Sequence, residues 1–177
     1  FKTLSFLYSR MMSIQLKKQT ENKNRFEYDC VLTCRFDVGH HNGGRNKTSH
    51  MRFNRNLDMS KIYQSDWEQT DAGASDHWFY SNSKNIDMIG DMYNKLWEYL
   101  NPDSKYAKLC KEGWPLSDAG NEFSNQIFKQ TRSHNLKKLT SGNTILVNNH
   151  SIYKHHLMEN NMWDNGNSVF IKGWQDD

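Results

Sequence analysis

A mixed α/β fold, a sheet flanked by helices, is what this sequence predicts, and three observations carry the expectation. Leu4, Leu7, Met11 and Ile14 recur at three- and four-residue steps near the start, which is the spacing of one helix face. Residues 28–36 then form a short apolar run, the length and composition of a buried strand. After a second, aromatic run comes the clearest helical stripe in the chain, through Ile86, Ile89, Tyr93, Leu96, Trp97 and Leu100.

The first stripe predicts a helix over residues 3–20, with polar Glu21, Asn22, Lys23 and Asn24 as its exit. The strand at 28–36 completes an αβ unit, with Cys30 and Cys34 expected on one buried face. From Gly39 to Asn56, glycine, asparagine, histidine and arginine dominate without periodicity, the pattern of a long functional loop. A short strand is expected at 61–64. Asp76 stands immediately before an aromatic strand at 77–81, and Asn82 or Ser83 caps the helix that follows, since a short polar side chain there satisfies an unpaired backbone N–H. That helix's stripe reads as core rather than as a cofactor site. Asn101 and Pro102 stop it, because the residue before proline is steered away from helical angles. Further helices are expected at 104–111 and 118–136, strands at 144–147 and 169–171, and a loop at 160–167. No internal repeat or domain boundary is visible.

The 177 residues suffice for one domain. Hydrophobic residues make up 36% of the chain and aromatic ones 13%, so a core can form despite a mean hydropathy of -0.95. A net charge of +3 is spread along the chain and does not by itself call for nucleic acid. Three widely spaced cysteines do not make a disulfide framework and point to a reducing, cytoplasmic setting. No apolar stretch approaches the length of a membrane span. The two glycosylation sequons, at Asn46 and Asn149, are discounted in so asparagine-rich a chain.

Chemistry is expected where the first strand stops. Side chains alternate along a strand, so Arg35 and Asp37 share one face at its carboxyl end, beside a glycine-containing loop suited to line a crevice. Spacing alone leaves a ligand site and an ordinary strand-end ion pair equally open. His40, His41 and His50 match no standard zinc spacing and read as solvated loop histidines, as do His150, His155 and His156. No dinucleotide-binding, phosphate-loop, nucleophile-elbow or zinc-protease motif occurs. Arg45, Lys47, Arg52 and Arg55, with Phe53 and Tyr63 nearby, could hold a nucleic acid or the diphosphate of a nucleotide donor. The acids separate these alternatives. Asp37 ends one strand and Asp76 begins another, so one acid can serve a metal or diphosphate and the other an acceptor hydroxyl. An Asx-type turn is the plain structural reading of Asp76.

With those residues in place, the chain resembles glycosyltransferases of the GT-A type, in particular the small group found in large viruses, phages and bacterial surface-polysaccharide loci, including WavE-like lipopolysaccharide enzymes. The resemblance runs over residues 5–155. It rests on Tyr8-Ser9-Arg10, on Tyr28-Asp29-Cys30-Val31 leading to Arg35-Phe36-Asp37, on Asp76-His77-Trp78-Phe79 and on Met88 through Tyr93. Asn121-Glu122-Phe123 opening a helix and residues 147–155 as a closing strand agree loosely. The resemblance implies a partial GT-A fold and transfer of a sugar from a nucleotide-sugar donor to a glycan or lipid-linked acceptor. It implies Asp37 as ligand of a divalent metal, manganese or magnesium, with Arg35 replacing the first acid of the Asp-x-Asp motif and meeting the diphosphate. It also implies Arg45 on the donor and Asp76 as acceptor-side base. Only one helix precedes Tyr28, so the chain reads as the carboxyl-terminal portion of such an enzyme, without much of its base and ribose pocket. The alternatives from other classes are a nucleic-acid-binding module using residues 45–55 and a carbohydrate-binding protein without catalysis.

Overall fold

The computed structural model describes residues 2–35, 56–65, 73–112, 149–163 and 166–171. The first helix, α1 (Lys2–Asn24), runs one turn beyond its expected end. Arg25 ends it in the left-handed region at φ 56°, and the Phe26 amide donates back to the Glu21 carbonyl at 3.2 Å, the wrap-around bond of a Schellman stop. Leu7, Met11 and Ile14 are buried as their spacing requires.

Among the described residues, four short strands form one mixed sheet: β1 (Val31–Cys34), β2 (Ile62–Ser65), β3 (Trp78–Ser81) and β4 (Ser168–Ile171). Their order is β1-β3-β2-β4. β3 is antiparallel to β1 and β2, whereas β4 is parallel to β2. α2 (Ser83–Tyr99) follows β3, and Asn82 caps it by accepting from the Asn85 amide at 2.9 Å. α3 (Lys105–Glu112) and α4 (Asn149–Glu159) complete the described elements.

The period of two along each strand divides the sheet into two faces. One carries Ile62 and Phe79 into the main core with Ile86, Ile89, Leu96, Ile152 and Leu157 from the helices. The other gathers Tyr63, Trp78 and Tyr80, with Tyr63 and Tyr80 stacked at 4.8 Å between ring centroids. α1 lies against α2, where Gly90 admits the Ile14 side chain; a Cβ on Gly90 would stand 2.8 Å from it. Lys17 ties the pair, reaching Glu21 at 3.0 Å and Asp87 at 2.7 Å.

Several expectations need correction. Residues 149–155, expected as part of a closing strand, are helical. Every side chain from Ser151 to Leu157 is buried, so α4 has no polar face and hence no helical periodicity to read. His155 and His156 are accordingly buried helix residues, not solvated loop ones. The Nε2–H of His156 donates to the Met88 carbonyl at 2.8 Å, which leaves Nδ1 to accept from the Tyr99 hydroxyl at 2.7 Å. Trp97 is 70% exposed, and Met92 and Tyr99 take its place on the buried stripe. Cys30 and Cys34 are exposed; among the described residues β1 is the last strand of the sheet on that side. Tyr63 is a core residue of β2 and does not present a free ring for base stacking. The expected helix at 118–136, the strand at 144–147 and the histidine-rich loop at 39–55 lie outside the described residues.

Candidate functional site

β1 and β2 run the same way, both antiparallel to β3, so their carboxyl ends and the start of β3 meet at one edge of the sheet. The first turn of α4 joins them. The Ala74 amide donates to the His150 carbonyl at 2.9 Å, and His150 Nδ1–H donates to the Ala74 carbonyl at 2.9 Å. This two-way stitch needs a residue without a side chain beside it. A Cβ on Gly73 would stand 2.3 Å from the His150 carbonyl carbon.

Arg35 and Asp76, 41 positions apart in sequence, come together here, with Nη1 3.1 Å from Oδ1. The other carboxylate oxygen accepts from Asn149 Nδ2 at 2.9 Å. Asp76 is only 1% exposed. Burial works against its charge, but the Asn149 amide, the neighbouring His150 and the Arg35 guanidinium together outweigh it and hold the carboxyl below its ordinary range. Asp76 is therefore ionised at neutral pH, and both of its oxygens are occupied. Such an arrangement suits holding Arg35 more directly than taking a proton, for which a value near the working pH serves best.

The Arg35 side chain keeps 32% of its surface exposed and lines a groove of about 1290 Å³ between α1 and β1. Arg10 stands behind it. Its guanidinium donates to the Asp76 backbone carbonyl at 2.9 Å and to the Tyr153 hydroxyl, and its charge lies over the Phe6, Phe79 and Tyr153 rings at 4.8, 5.4 and 5.1 Å. Phe6 is thus shared by two cations, since Arg35 lies 6.0 Å from the same ring. Asn149 also borders the groove, and its Oδ1, fixed by the bond that Nδ2 makes, is a buried acceptor without a partner among the described residues.

Arg35 and Asp76, both singled out in the sequence, are thus brought into contact with each other. Arg10 and Asn149 were not expected there. In the sequence Arg10 stands out only as part of a motif and Asn149 only as a sequon, and neither spacing signals a contact across more than 60 positions. Asp37 and Arg45 lie outside the described residues. Among the described residues no three metal-ligating side chains converge, and Asp76, with a guanidinium against one oxygen, does not offer a divalent cation a favourable place. The chain matches no protein-family model, no curated protein and no solved structure.

Proposed function

We propose that this chain takes part in glycosyl transfer from a nucleotide-sugar donor to a glycan or lipid-linked acceptor, as a portion of a GT-A type domain. The observation that carries the reading is the Arg35–Asp76 pair. A one-third-exposed guanidinium, aimed by a buried carboxylate, stands at the carboxyl ends of two strands, where open α/β sheets receive ligands. The order of the sequence motifs supports the same reading, because two of the four residues it singles out, Arg35 and Asp76, meet.

In this mechanism Arg35 binds the donor diphosphate and offsets the negative charge that grows as the bond from sugar to phosphate breaks. Such preorganised electrostatic stabilisation is the largest catalytic term in many enzymes, and a planar guanidinium fits phosphate oxygens in pairs. Asp76 keeps that guanidinium in place. A divalent ion would add further positive charge at the diphosphate. Its proposed ligand, Asp37, is beyond the described residues, so no step here passes through it.

Thermal denaturation with UDP, GDP, CDP and dTDP, each with and without manganese, tests the proposal. A ligand that binds the folded state alone raises the melting temperature, by an amount equal to about 2.7 kcal/mol of stability at a hundredfold excess over Kd. One nucleotide should stabilise the chain selectively, and Arg35→Ala should abolish the shift. Identical melting with all four, or a shift that survives Arg35→Ala, rejects the assignment.

A further inference from the structure

α4 keeps basic residues where proteins rarely bury them. Lys154, His155 and His156 follow one another in the chain, and each is at most 2% exposed. The Lys154 ammonium lies over the Trp163 ring at 5.0 Å, so the helix already buries one charge. His155 meets two tyrosine rings, Tyr99 of α2 at 4.6 Å and Tyr106 of α3 at 5.2 Å between centroids. The proton of His156 is on Nε2, spent on the Met88 carbonyl, and Nδ1 must stay bare to accept from the Tyr99 hydroxyl. A second proton on that ring would turn the acceptor into a donor and cost the hydroxyl its partner.

The surroundings do not accommodate a further cation. Among the described residues, the charged groups facing the two imidazoles are Asp91, Lys95 and Glu98 of α2, Lys105 of α3 and Glu159 of α4 itself. Glu159 is bonded to Lys105 at 2.6 Å and Glu98 to Lys95 at 3.1 Å. Asp91 is exposed and accepts from Asn94 at 2.8 Å. Burial pushes the Tyr99 and Tyr106 hydroxyls up, so neither supplies an anion. An imidazolium formed here would be desolvated with no carboxylate bonded to it. The other end of the same helix builds the site. Asn149 donates to the Asp76 carboxylate at 2.9 Å, the Tyr153 hydroxyl accepts from Arg10, and His150 exchanges two bonds with Ala74. Asn149 and His156 belong to one continuous helix, only about two turns apart.

We infer that α4 is a proton-operated strut: a proton taken up by His155 or His156 frees the helix from α2 and α3, and its first turn then lets go of Asp76 and Arg10, so the anchor of Arg35 loosens in acid. The sign follows from burial, which holds His155 down to about 4 and His156 below its ordinary range, against about 6.5 for an imidazole in water. The released helix binds protons that the packed one refuses, so release grows as pH falls from about 6.5. For His155 alone the release equilibrium rises about twentyfold between pH 7 and pH 5. Asp76 stays ionised over that interval, because its carboxyl is held below its ordinary range, and its own discharge cannot produce the effect. The inference stands apart from the glycosyl-transfer reading, since what the groove binds does not enter it.

Magnetic resonance of the whole chain between pH 7 and pH 4.5 tests it. The imidazole carbon-bound protons of His155 and His156 and the side-chain amide of Asn149 should move together, at one midpoint, while the backbone signals of α1 and α2 keep their native positions. Hydrogen exchange, corrected for the intrinsic pH dependence of amide exchange, should show α4 less protected than α1 and α2, with its opening rising about twentyfold from pH 7 to pH 5. His155→Phe keeps the bulk of the ring and takes no proton, and His156→Gln keeps a donor for the Met88 carbonyl. The double variant should hold the Asn149 signal still down to pH 4.5. Should that variant not fold, the shared midpoint and the exchange pattern of the unaltered chain decide the matter alone. Each of three results overturns the inference: α4 opening that does not change with pH, α4 amides as protected as those of α1 and α2, or an Asn149 signal that moves at a midpoint other than that of the imidazoles.

Discussion

Asp76→Asn keeps the side-chain volume and removes the charge, so it isolates what the carboxylate does. The native side chain accepts from Arg35 at 3.1 Å and from Asn149 at 2.9 Å. An amide has only one oxygen, and its NH2 must then face a donor, either the guanidinium or the Asn149 amide. The bond to Arg35 counts for little, about 0–1 kcal/mol, because that partner is partly solvated. The bond from Asn149 to a buried charge is worth about 1.5–3 kcal/mol. A net loss of about 2–3 kcal/mol follows, and it should appear as a fall of about 1 M in the urea midpoint at neutral pH. The loss should also depend on pH. Asp76 has a folded value below its unfolded one, so its contribution is complete above the unfolded value of about 3.9 and disappears as pH falls through the lower folded value. Wild type and Asp76→Asn should therefore converge in acid. A loss under about 0.5 kcal/mol at neutral pH, or a difference that persists unchanged in acid, refutes the assignment of Asp76 as the anchor of this site.

Two further outcomes follow from the buried helix and the tight stitch beside the site. Burial lowers His155 to a value of about 4, so the unfolded chain takes up a proton that the folded one refuses. Stability should fall as pH drops from about 6.5 toward that value, by up to about 3 kcal/mol at about 1.4 kcal/mol per unit. Urea midpoints measured across this range check it, and His155→Phe should flatten the slope. Gly73→Ala should cost about 1–3 kcal/mol, because its Cβ would meet main-chain carbon at 2.3 Å. Gly90→Ala should cost less, since its Cβ would meet Ile14 Cγ2 at 2.8 Å and Cβ at 3.0 Å, so α1 and α2 need part by less than the main chain must at Gly73. Equal losses by calorimetry would contradict that ranking.

What could be read from the residues was local. The spacing of Leu7, Met11 and Ile14 marked α1, and Asn82 marked the start of α2. The aromatic run after Asp76 marked β3. Arg35 and Asp76 were each legible as strand-end charges, but their mutual contact depends on β1 and β3 lying side by side, which no local pattern states. α4 escaped because a helix buried on every side has no stripe. Trp97 misled for the opposite reason: its position extended a hydrophobic stripe that the core stops short of filling. Arg10 reached the site through packing of α1 against the rest, a relation among distant segments rather than a motif.

The parallel pairing of β2 with β4 governs when the fold can form. Gln64 and Ser168, bonded across this pair, are 104 positions apart. During synthesis α1, β1, β3 and α2 can assemble as soon as each emerges, yet β2 waits with one side open until Ile171 has left the ribosome. Between the emergence of β3 and that of β4, the nascent chain therefore carries a sheet whose described strands have unpaired margins on both flanks. A factor that binds extended segments would find its longest opportunity there, and fast elongation through the stretch before β4 would shorten it.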